Sequence, residues 1–419
     1  MNHKIFLFLF LTVPACGRYL DLSKESYSQI FFGDNFNTTF IIRDFSGEYA
    51  GVHLIFPPVP GDNQALDYAL MSAAGMMIPE NIEEKEWYRL KKSCGMKTWG
   101  GKTAGVLYIT GIWKRNRSND GLRLFFRQMR NGRITDNIWA RVKNRMEGIL
   151  EDIETGSSSK AESELEKMMF GASPVGTRDE MKAIDSIILQ RHLQEKYQKN
   201  SKLIFVYGPF NKKNVIEYLK KQNFNSEIGA TPFYGPFKKS KNRLRTNLVN
   251  SSEAKTTYIS CGAELSFRSW ALWDMLSGFL TQKLNSDSTE VIVSSSLALY
   301  PAIKISVTVD SDSASKNLRL LKTLMDNLKI SENDIEILRN AWKISLLKKM
   351  KKIDFMMLLD RMLYLDGMKL KHTDVLGFND AVSASRILKE WKGIVNRMVC
   401  AGIGPDSKVD MTILSQENE

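Results

Sequence analysis

The order of apolar and polar positions divides the first half of the chain into short extended segments and amphipathic helices. Alternating or continuous apolar runs predict strands, and apolar side chains that recur every three or four residues predict helices. The predicted strands are 38–43, 49–56, 105–113 and 203–207. The predicted helices are 65–75, 82–92, 122–129 and 135–155, followed by a Ser-rich break after Gly156 and by a helix that starts at Thr177 with the spacing of a capping box.

The second half repeats this order of elements. Its predicted elements are a strand at 257–261, a helix at 267–284, strands at 290–297 and 302–309, a capped helix from Ser331 to about residue 352, two further helical stretches and a closing strand at 393–401. Residues 303–309 alternate between apolar and polar side chains, which predicts one buried and one solvated face.

The halves are separated by residues 223–252, which are rich in Asn, Ser, Pro, Gly and Lys and lack helical periodicity, as is typical of a linker. A chain of 419 residues, 43% of them apolar, is long enough for two domains. We therefore predict two similar α+β domains, 19–222 and 253–411, each a mostly antiparallel sheet with packed helices, and a tail at 412–419.

The chain has a net charge of +12, which favours anionic surfaces. The densest basic run, 238–245, lies in the predicted linker beside Pro232, Gly235 and Pro236, and no aromatic side chains are interleaved with it to stack on bases. We interpret the run as a solvated connector and expect no nucleic-acid partner.

Residues 1–18 have the layout of a secretory signal, with a basic start, an apolar run at 5–11 and small residues around Cys16. The run is too short to span a bilayer, which needs about 20 residues. The residues before Cys16 are similar to a bacterial lipobox apart from Pro14, so lipidation of Cys16 and plain cleavage nearby both stay open. We expect export to the periplasm or outer envelope, with a membrane contact only through a lipid anchor on Cys16.

The other cysteines are Cys94, Cys261 and Cys400, an odd number without metal-type spacing. At most one pair of them can form a disulfide in an oxidising compartment. We expect all three to be buried as small hydrophobic side chains, with one disulfide as the alternative.

A family resemblance rests on the succession of these elements. A strand pair at 40–56 is followed by a helix at 65–75, a helix ending near glycine at 83–95, and a strand at 105–111. Further along the chain, Pro174-Val175-Gly176-Thr177 precedes a capped helix. This order resembles the insulinase and pitrilysin family of zinc metallopeptidases, which includes the mitochondrial processing peptidase. The likeness covers nearly the whole chain, is one of pattern and order, and implies two tandem domains of the processing-peptidase-like metallohydrolase fold.

In that family a helix carries His-x-x-Glu-His, whose histidines bind zinc while the glutamate polarises the metal-bound water. Matching Gly75 to the glycine after the motif puts Leu66 and Leu70 at the histidine positions and Ala69 at the glutamate position. None of these side chains can bind zinc or accept a proton. The resemblance therefore implies a degenerate motif, no zinc and no other cofactor.

The family's third ligand is a glutamate on the long helix, and Glu147 or Glu151 stands in that region as a remnant. One carboxylate cannot hold a catalytic zinc alone, and either residue also fits a surface acid on an amphipathic helix. The family's Arg and Tyr pair of the second domain is matched only by Lys283 and Tyr300, so that pair is not secured either.

The histidines offer no replacement motif. The chain has only His3, His53, His192 and His372, and no two of them are four residues apart. We interpret His192 in His-Leu-Gln-Glu-Lys as a coincidental partial motif and His53 as a packed strand residue.

Three functions are compatible with these observations. The first is a non-catalytic subunit that pairs with an active homologue or with itself and contacts peptides. The second is a stand-alone envelope lipoprotein that binds peptides or other ligands. The third is an active zinc peptidase with ligands that the sequence does not reveal, which the few histidines disfavour. We predict the first and therefore no enzymatic activity.

Overall fold

The computed structural model describes residues 27–32, 38–45, 47–56, 63–103, 106–170, 175–199, 202–220, 246–296, 301–365 and 372–414. The predicted leader 1–18 with Cys16 lies outside them, as do most of the linker with its basic run, Tyr300 and the end of the tail.

The first half contains β1 (Tyr27–Phe32), β2 (Thr38–Arg43), β3 (Tyr49–Phe56), β4 (Ile78–Pro79), β5 (Lys97–Thr103), β6 (Val106–Lys114), β7 (Gly132–Arg133) and β8 (Lys202–Tyr207). Six of these strands form one sheet in the order β1-β2-β8-β3-β6-β5, and β4 pairs with β7. Only β2 and β8 are parallel neighbours in this sheet.

The second half contains β9 (Thr246–Asn250), β10 (Thr256–Glu264), β11 (Thr289–Ser296), β12 (Ala302–Asp310) and β13 (Val399–Gly404). Their sheet order, β9-β13-β10-β12-β11, matches β2-β8-β3-β6-β5 strand for strand, and β9 and β13 are again the parallel pair. The prediction of two similar halves with mostly antiparallel sheets is therefore confirmed.

Helices surround both sheets. They are α1 (Gln64–Ala74), α2 (Glu84–Cys94), α3 (Ser118–Asn131), α4 (Asp136–Thr155), α5 (Ser157–Phe170), α6 (Arg178–Lys182), α7 (Ser186–Lys199), α8 (Lys212–Lys220), α9 (Phe267–Leu284), α10 (Ala314–Asp326), α11 (Glu332–Met350), α12 (Ile353–Leu365), α13 (His372–Leu376) and α14 (Ala384–Val395). Within the described segments, none is long and apolar enough to cross a membrane.

Several local signals act as predicted. Reciprocal capping boxes start α6 at Thr177 and α11 at Ser331. Gly95 ends α2 with a φ of 62°, a left-handed conformation that glycine adopts without steric cost. Along β12 buried and half-exposed residues alternate, which confirms its single buried face.

Other predictions need correction. The Ser-rich break after Gly156 is the first turn of α5, because serine is favoured at helix starts and good helix formers follow it. Strand β5, rich in glycine and lysine, was missed. The linker prediction is too long at its end, since Thr246–Asn250 pairs with the second sheet as β9. The closing strand was placed too early, because residues up to Val395 belong to α14 and β13 starts at Val399.

One helix from each half packs on the sheet of the other half. Helix α5 packs across β10 and β13, and its counterpart α12 packs on β3. Glycines on the central strands leave room for these helices: a Cβ on Gly262 would lie 2.6 Å from Met169 Sδ, and one on Gly51 would lie 2.6 Å from Met357 Cε. One hydrophobic cluster consequently contains residues of both halves.

A buried carboxylate joins the halves where α12 meets the first sheet. Asp360 is 1% exposed and lies on α12. Its Oδ1 is 2.5 Å from Arg43 Nη2, and Tyr207 donates a 2.7 Å hydrogen bond to its Oδ2. Arg43 and Tyr207 lie on the parallel strands β2 and β8. Two residues of the other half's sheet thus compensate the charge of Asp360.

A disulfide joins Cys261 and Cys400, which lie directly opposite each other on β10 and β13. Cys94 is free and buried. The expectation that all three cysteines are free is therefore wrong for two of them, because the strand register, which spacing alone does not reveal, brings them together. The bridge closes a loop across 139 positions and so encloses most of the second half.

We expect Asp360→Ala to lower the free energy of unfolding by about 3–5 kcal/mol, because it removes a buried carboxylate that is paired with the Arg43 charge in the interface. Urea denaturation measures this loss. Tyr207→Phe is the matched control and removes one hydrogen bond, at about 1 kcal/mol. The double variant Arg43→Met/Asp360→Leu should lose less free energy of unfolding than Asp360→Ala alone. A larger loss in the double variant would contradict this account.

We expect Cys261→Ala/Cys400→Ala to be less stable than the oxidised wild type by about 2–5 kcal/mol, since the bridge restricts the unfolded chain. Thermal unfolding with and without reductant tests this. In reductant, the wild type and the double variant should have the same stability. Cys94→Ala is the control, whose sensitivity to reductant should equal that of wild type. Wild-type stability that does not respond to reductant would argue against the bridge.

Candidate functional site on helices α1, α4 and α6

Helix α1 holds the positions that the family resemblance assigns to zinc binding. It begins at Asn63, whose side chain accepts a 2.9 Å hydrogen bond from the Leu66 amide. Its inward residues belong to the core of the first half. The helix packs closely on β5, where a Cβ on Gly100 would lie 2.4 Å from the carbonyl oxygen of Met71.

At these positions the structure shows apolar packing. Ala69 and Leu70 are 0% exposed, and Leu66 is half-buried against the same cluster. Leu66 and Leu70 are four residues apart and so lie on one side of the helix, as a ligand pair must. Their side chains offer zinc no donor atom. The residues present on α1 therefore do not fit a zinc ion.

Asp67, the residue after Leu66, makes a buried polar contact from α1. Asp67 is 3% exposed, and its Oδ1 is 2.8 Å from Nε2 of His192 on α7, which is 9% exposed. The pair ties α1 to a helix 125 positions away. His192 thus has a structural role, in line with the interpretation of its partial motif as coincidental.

The segment before α6 lies against the start of α1. Gly176 has a φ of +82°, and a Cβ at this position would lie 2.5 Å from the backbone nitrogen of Ala65. Only glycine combines this backbone conformation with this close approach. The contact places Thr177 and Arg178 next to the first turn of α1.

Arg178 then faces a stripe of acids on α4. Its Nε and Nη2 donate hydrogen bonds of 2.7 and 2.8 Å to the two carboxylate oxygens of Glu154. This bidentate bond raises the pKa of the Arg178 guanidinium, and the charges of Glu154, Glu151 and Glu147 raise it further. The same bond lowers the pKa of Glu154. Glu147 is half-buried and Glu151 exposed.

The chemistry of this place follows from its donors. The carboxylates of α4 face a guanidinium, and the nearby positions of α1 carry hydrocarbon. Across the described residues, no group of three or more His, Cys, Asp or Glu side chains is arranged to hold a metal ion. The ion pair between α4 and α6 can hold these two helices together, and its side chains form a surface with both acidic and basic groups.

The remaining candidate residues lie elsewhere. His53 is 3% exposed on β3, and its Nδ1 is 2.8 Å from Thr110 Oγ1, so it is packed in the sheet as predicted. Lys283 is exposed in the last turn of α9, with its ammonium 5.4 Å from the Phe279 ring centre. Its predicted partner Tyr300 lies outside the described residues.

Lys91 on α2 covers the other end of α1. Its ammonium donates a 3.1 Å hydrogen bond to the carbonyl oxygen of Gly75 and lies 5.8 Å from the Trp87 ring centre. Burial lowers its pKa from 10.5 to about 8. A cation at a helix C-terminus interacts favourably with the helix dipole, so the contact stabilises the end of α1 even though burial disfavours the charge.

Several structural contacts of this site were not predicted from the sequence. Asp67 was overlooked although a carboxylate between two apolar helix positions signals a buried partner. Arg178 was noticed only within the capping sequence. Nothing local to Arg178 indicates that α4 lies opposite it, because Glu154 is 24 positions away.

No family model matches the sequence, and no curated protein matches it. By structure the chain is similar to a conserved protein from Enterococcus faecalis V583, with a TM-score of 0.73 at 13% identity over 92% of this chain and 100% of that one. A peptidase M16 inactive domain from Pseudomonas fluorescens gives a TM-score of 0.72 at 11% identity, over 92% and 100%. The periplasmic protease PqqL from Escherichia coli gives 0.69 at 12% identity, over 94% of this chain and 48% of that one.

At these identities the likeness shows the fold. The chain has the fold of the insulinase-type M16 peptidases, which confirms the fold expected from the order of its elements.

We expect wild-type protein to gain stability relative to Lys91→Met as the pH rises from about 8 to 10.5. The folded-state pKa of Lys91 is lowered to about 8, so the cost of burying the ammonium is full below that pH and disappears above the unfolded pKa of 10.5. Urea denaturation across this range measures the difference. Lys92→Met, at an exposed neighbour, is the control, and an equal pH trend in both variants would contradict the assignment.

Proposed function

We propose that this chain is a non-catalytic M16-fold subunit of the cell envelope that works by contact with a partner of the same fold and with peptides. The observation that carries the proposal is the apolar packing of α1, with Ala69 and Leu70 fully buried where the family resemblance expects the base and a ligand. These positions offer no ligand to a zinc ion and no base to a water molecule bound to it.

The neighbourhood of α1 supports the same conclusion. Arg178 binds Glu154 of α4 directly, and the charges of Glu151 and of the ligand remnant Glu147 also act on its guanidinium, so these carboxylates face a cation of the chain itself. A solved domain of this fold, matched over its whole length, is described as an inactive M16 domain. That description belongs to its own protein and makes a non-catalytic member of this fold a reasonable comparison.

Export is supported by the Cys261–Cys400 disulfide together with the signal-like residues 1–18. Disulfides persist in oxidising compartments such as the periplasm and are rare in the cytosol. The similar PqqL protein is described as periplasmic. Lipidation of Cys16 remains part of the proposal.

The proposed partner has the same fold, by comparison with a longer protein that this chain matches in part. This chain covers 48% of the PqqL chain, so that protein has room for a second unit of similar size. In this proposal the second unit comes from a partner, either an active homologue or another copy. The paired units would supply a surface for peptides, while any cleavage would come from the active partner.

The proposal is tested by metal analysis and peptidase assays on the purified chain, with an intact His-x-x-Glu-His homologue as positive control. We expect no stoichiometric zinc and no chelator-sensitive cleavage of unfolded peptides. Leu66→His/Ala69→Glu/Leu70→His should lower the free energy of unfolding by at least about 3 kcal/mol, because it places charge in the core, and should restore little activity. Robust chelator-sensitive cleavage by the wild-type chain alone would overturn the proposal.

A further inference from the structure

Helix α11 presents a line of apolar side chains to solvent. Of the nine large apolar or aromatic side chains that are exposed in the described residues, three lie on this helix. Ile337 is 60% exposed, Ile344 49% and Leu347 42%. The opposite side of the helix is already buried through Ile335, Trp342, Leu346 and Met350.

The fold itself does not require this line. Helix α4 occupies the same place in the order of the first half, and none of its large apolar side chains is exposed. Single exposed apolar residues are common on protein surfaces. Several on one helix, with Ile337 and Ile344 seven residues apart and therefore almost in line, indicate a contact surface.

Charges of opposite sign flank the apolar line. Glu336 is exposed at its start, and Lys348, Lys351 and Lys352 are exposed at its end. Acids at the start and bases at the end of a helix also suit the helix dipole, so this polarity alone does not indicate a partner. Together with the apolar line between them, the charges make a face whose two ends are complementary to each other.

We propose that α11 docks antiparallel against α11 of a second copy of this chain. In such a pair a two-fold axis passes next to Ile344, perpendicular to both helices. Position 337 of one copy then lies opposite position 351 of the other. Ile344 then meets Ile344 of the second copy, and Glu336 lies beside Lys351 of the second copy. The two lysine clusters are about 20 Å apart at 1.5 Å per residue, well beyond the screening length of about 8 Å at physiological salt.

An anionic membrane fits this face less well, because Glu336 adjoins Ile337 and would be repelled by the lipid headgroups. A helix pair of this length buries less than the roughly 800 Å² per partner of a standard interface, so we expect a weak, reversible dimer and set the test for a dissociation constant of about 10 μM. The contact is independent of the chemistry of α1 and holds whether or not the chain is catalytic.

Cysteine cross-linking tests the geometry. In the purified chain under mild oxidation, Ile344→Cys should form disulfide-linked dimers, because the two-fold axis passes next to it. A mixture of Glu336→Cys and Lys351→Cys chains should form mixed dimers. The unmodified chain sets the baseline for the native thiols, and Ile187→Cys, at a side chain that is 68% exposed on α7, is the matched control. Equal cross-linking of Ile187→Cys and Ile344→Cys would overturn the proposal.

Analytical ultracentrifugation tests how Glu336 and Lys351 contribute to dimerisation. Glu336→Lys and Lys351→Glu should each weaken the dimer about tenfold, and Glu336→Lys/Lys351→Glu should restore it to within about threefold, because the pair is re-formed with reversed sign. A wild-type chain that stays monomeric at 100 μM, about ten times the expected dissociation constant, would overturn the proposal. So would a monomer that binds anionic vesicles through α11, with binding lost on Lys351→Glu. Peptidase and zinc assays do not enter either test.

Discussion

Asp360 lies on a helix that belongs to the second half by sequence and to the first sheet by packing. Burying a carboxylate is unfavourable unless charge and hydrogen bonds compensate it, and here Arg43 and Tyr207 do so from β2 and β8. These contacts form only when α12 lies across the first sheet. The reciprocal packing of α5 on the second sheet then follows from the same relation between the halves, and Lys304 on β12 reaches Glu166 of α5 at 3.3 Å.

This exchange also determines how the two sheets are covered. Each sheet has one face covered by its own helices and the other by a helix of the opposite half, so both faces contribute apolar burial. Helix α1 lies within one of these layers. Apolar side chains at the positions that the family resemblance assigns to zinc binding extend the core, and the Asp67–His192 contact fixes the helix from its polar side.

The two halves have the same strand order but present different surfaces. Helix α4 faces Arg178 with a stripe of carboxylates, whereas its counterpart α11 carries an apolar line between opposite charges. Duplicated elements share the buried pattern that the fold requires, and their outward residues are free to differ. Function in this chain is therefore expected on the outward residues of the long helices, where the halves differ most.

The sequence by itself determined the local elements and the side-chain types at the positions that the family resemblance assigns to zinc binding. Alternation along 303–309, the caps at Asn63, Thr177 and Ser331, and the absence of donors at positions 66, 69 and 70 are short-range properties that a single segment carries. Only the tertiary structure decided which side of the molecule α5 and α12 cover, which cysteines pair, and that Asp67, Arg178 and Asp360 have partners. Those contacts join residues 24 to more than 300 positions apart, and their energy depends on register and burial, which exist only once the sheets have formed.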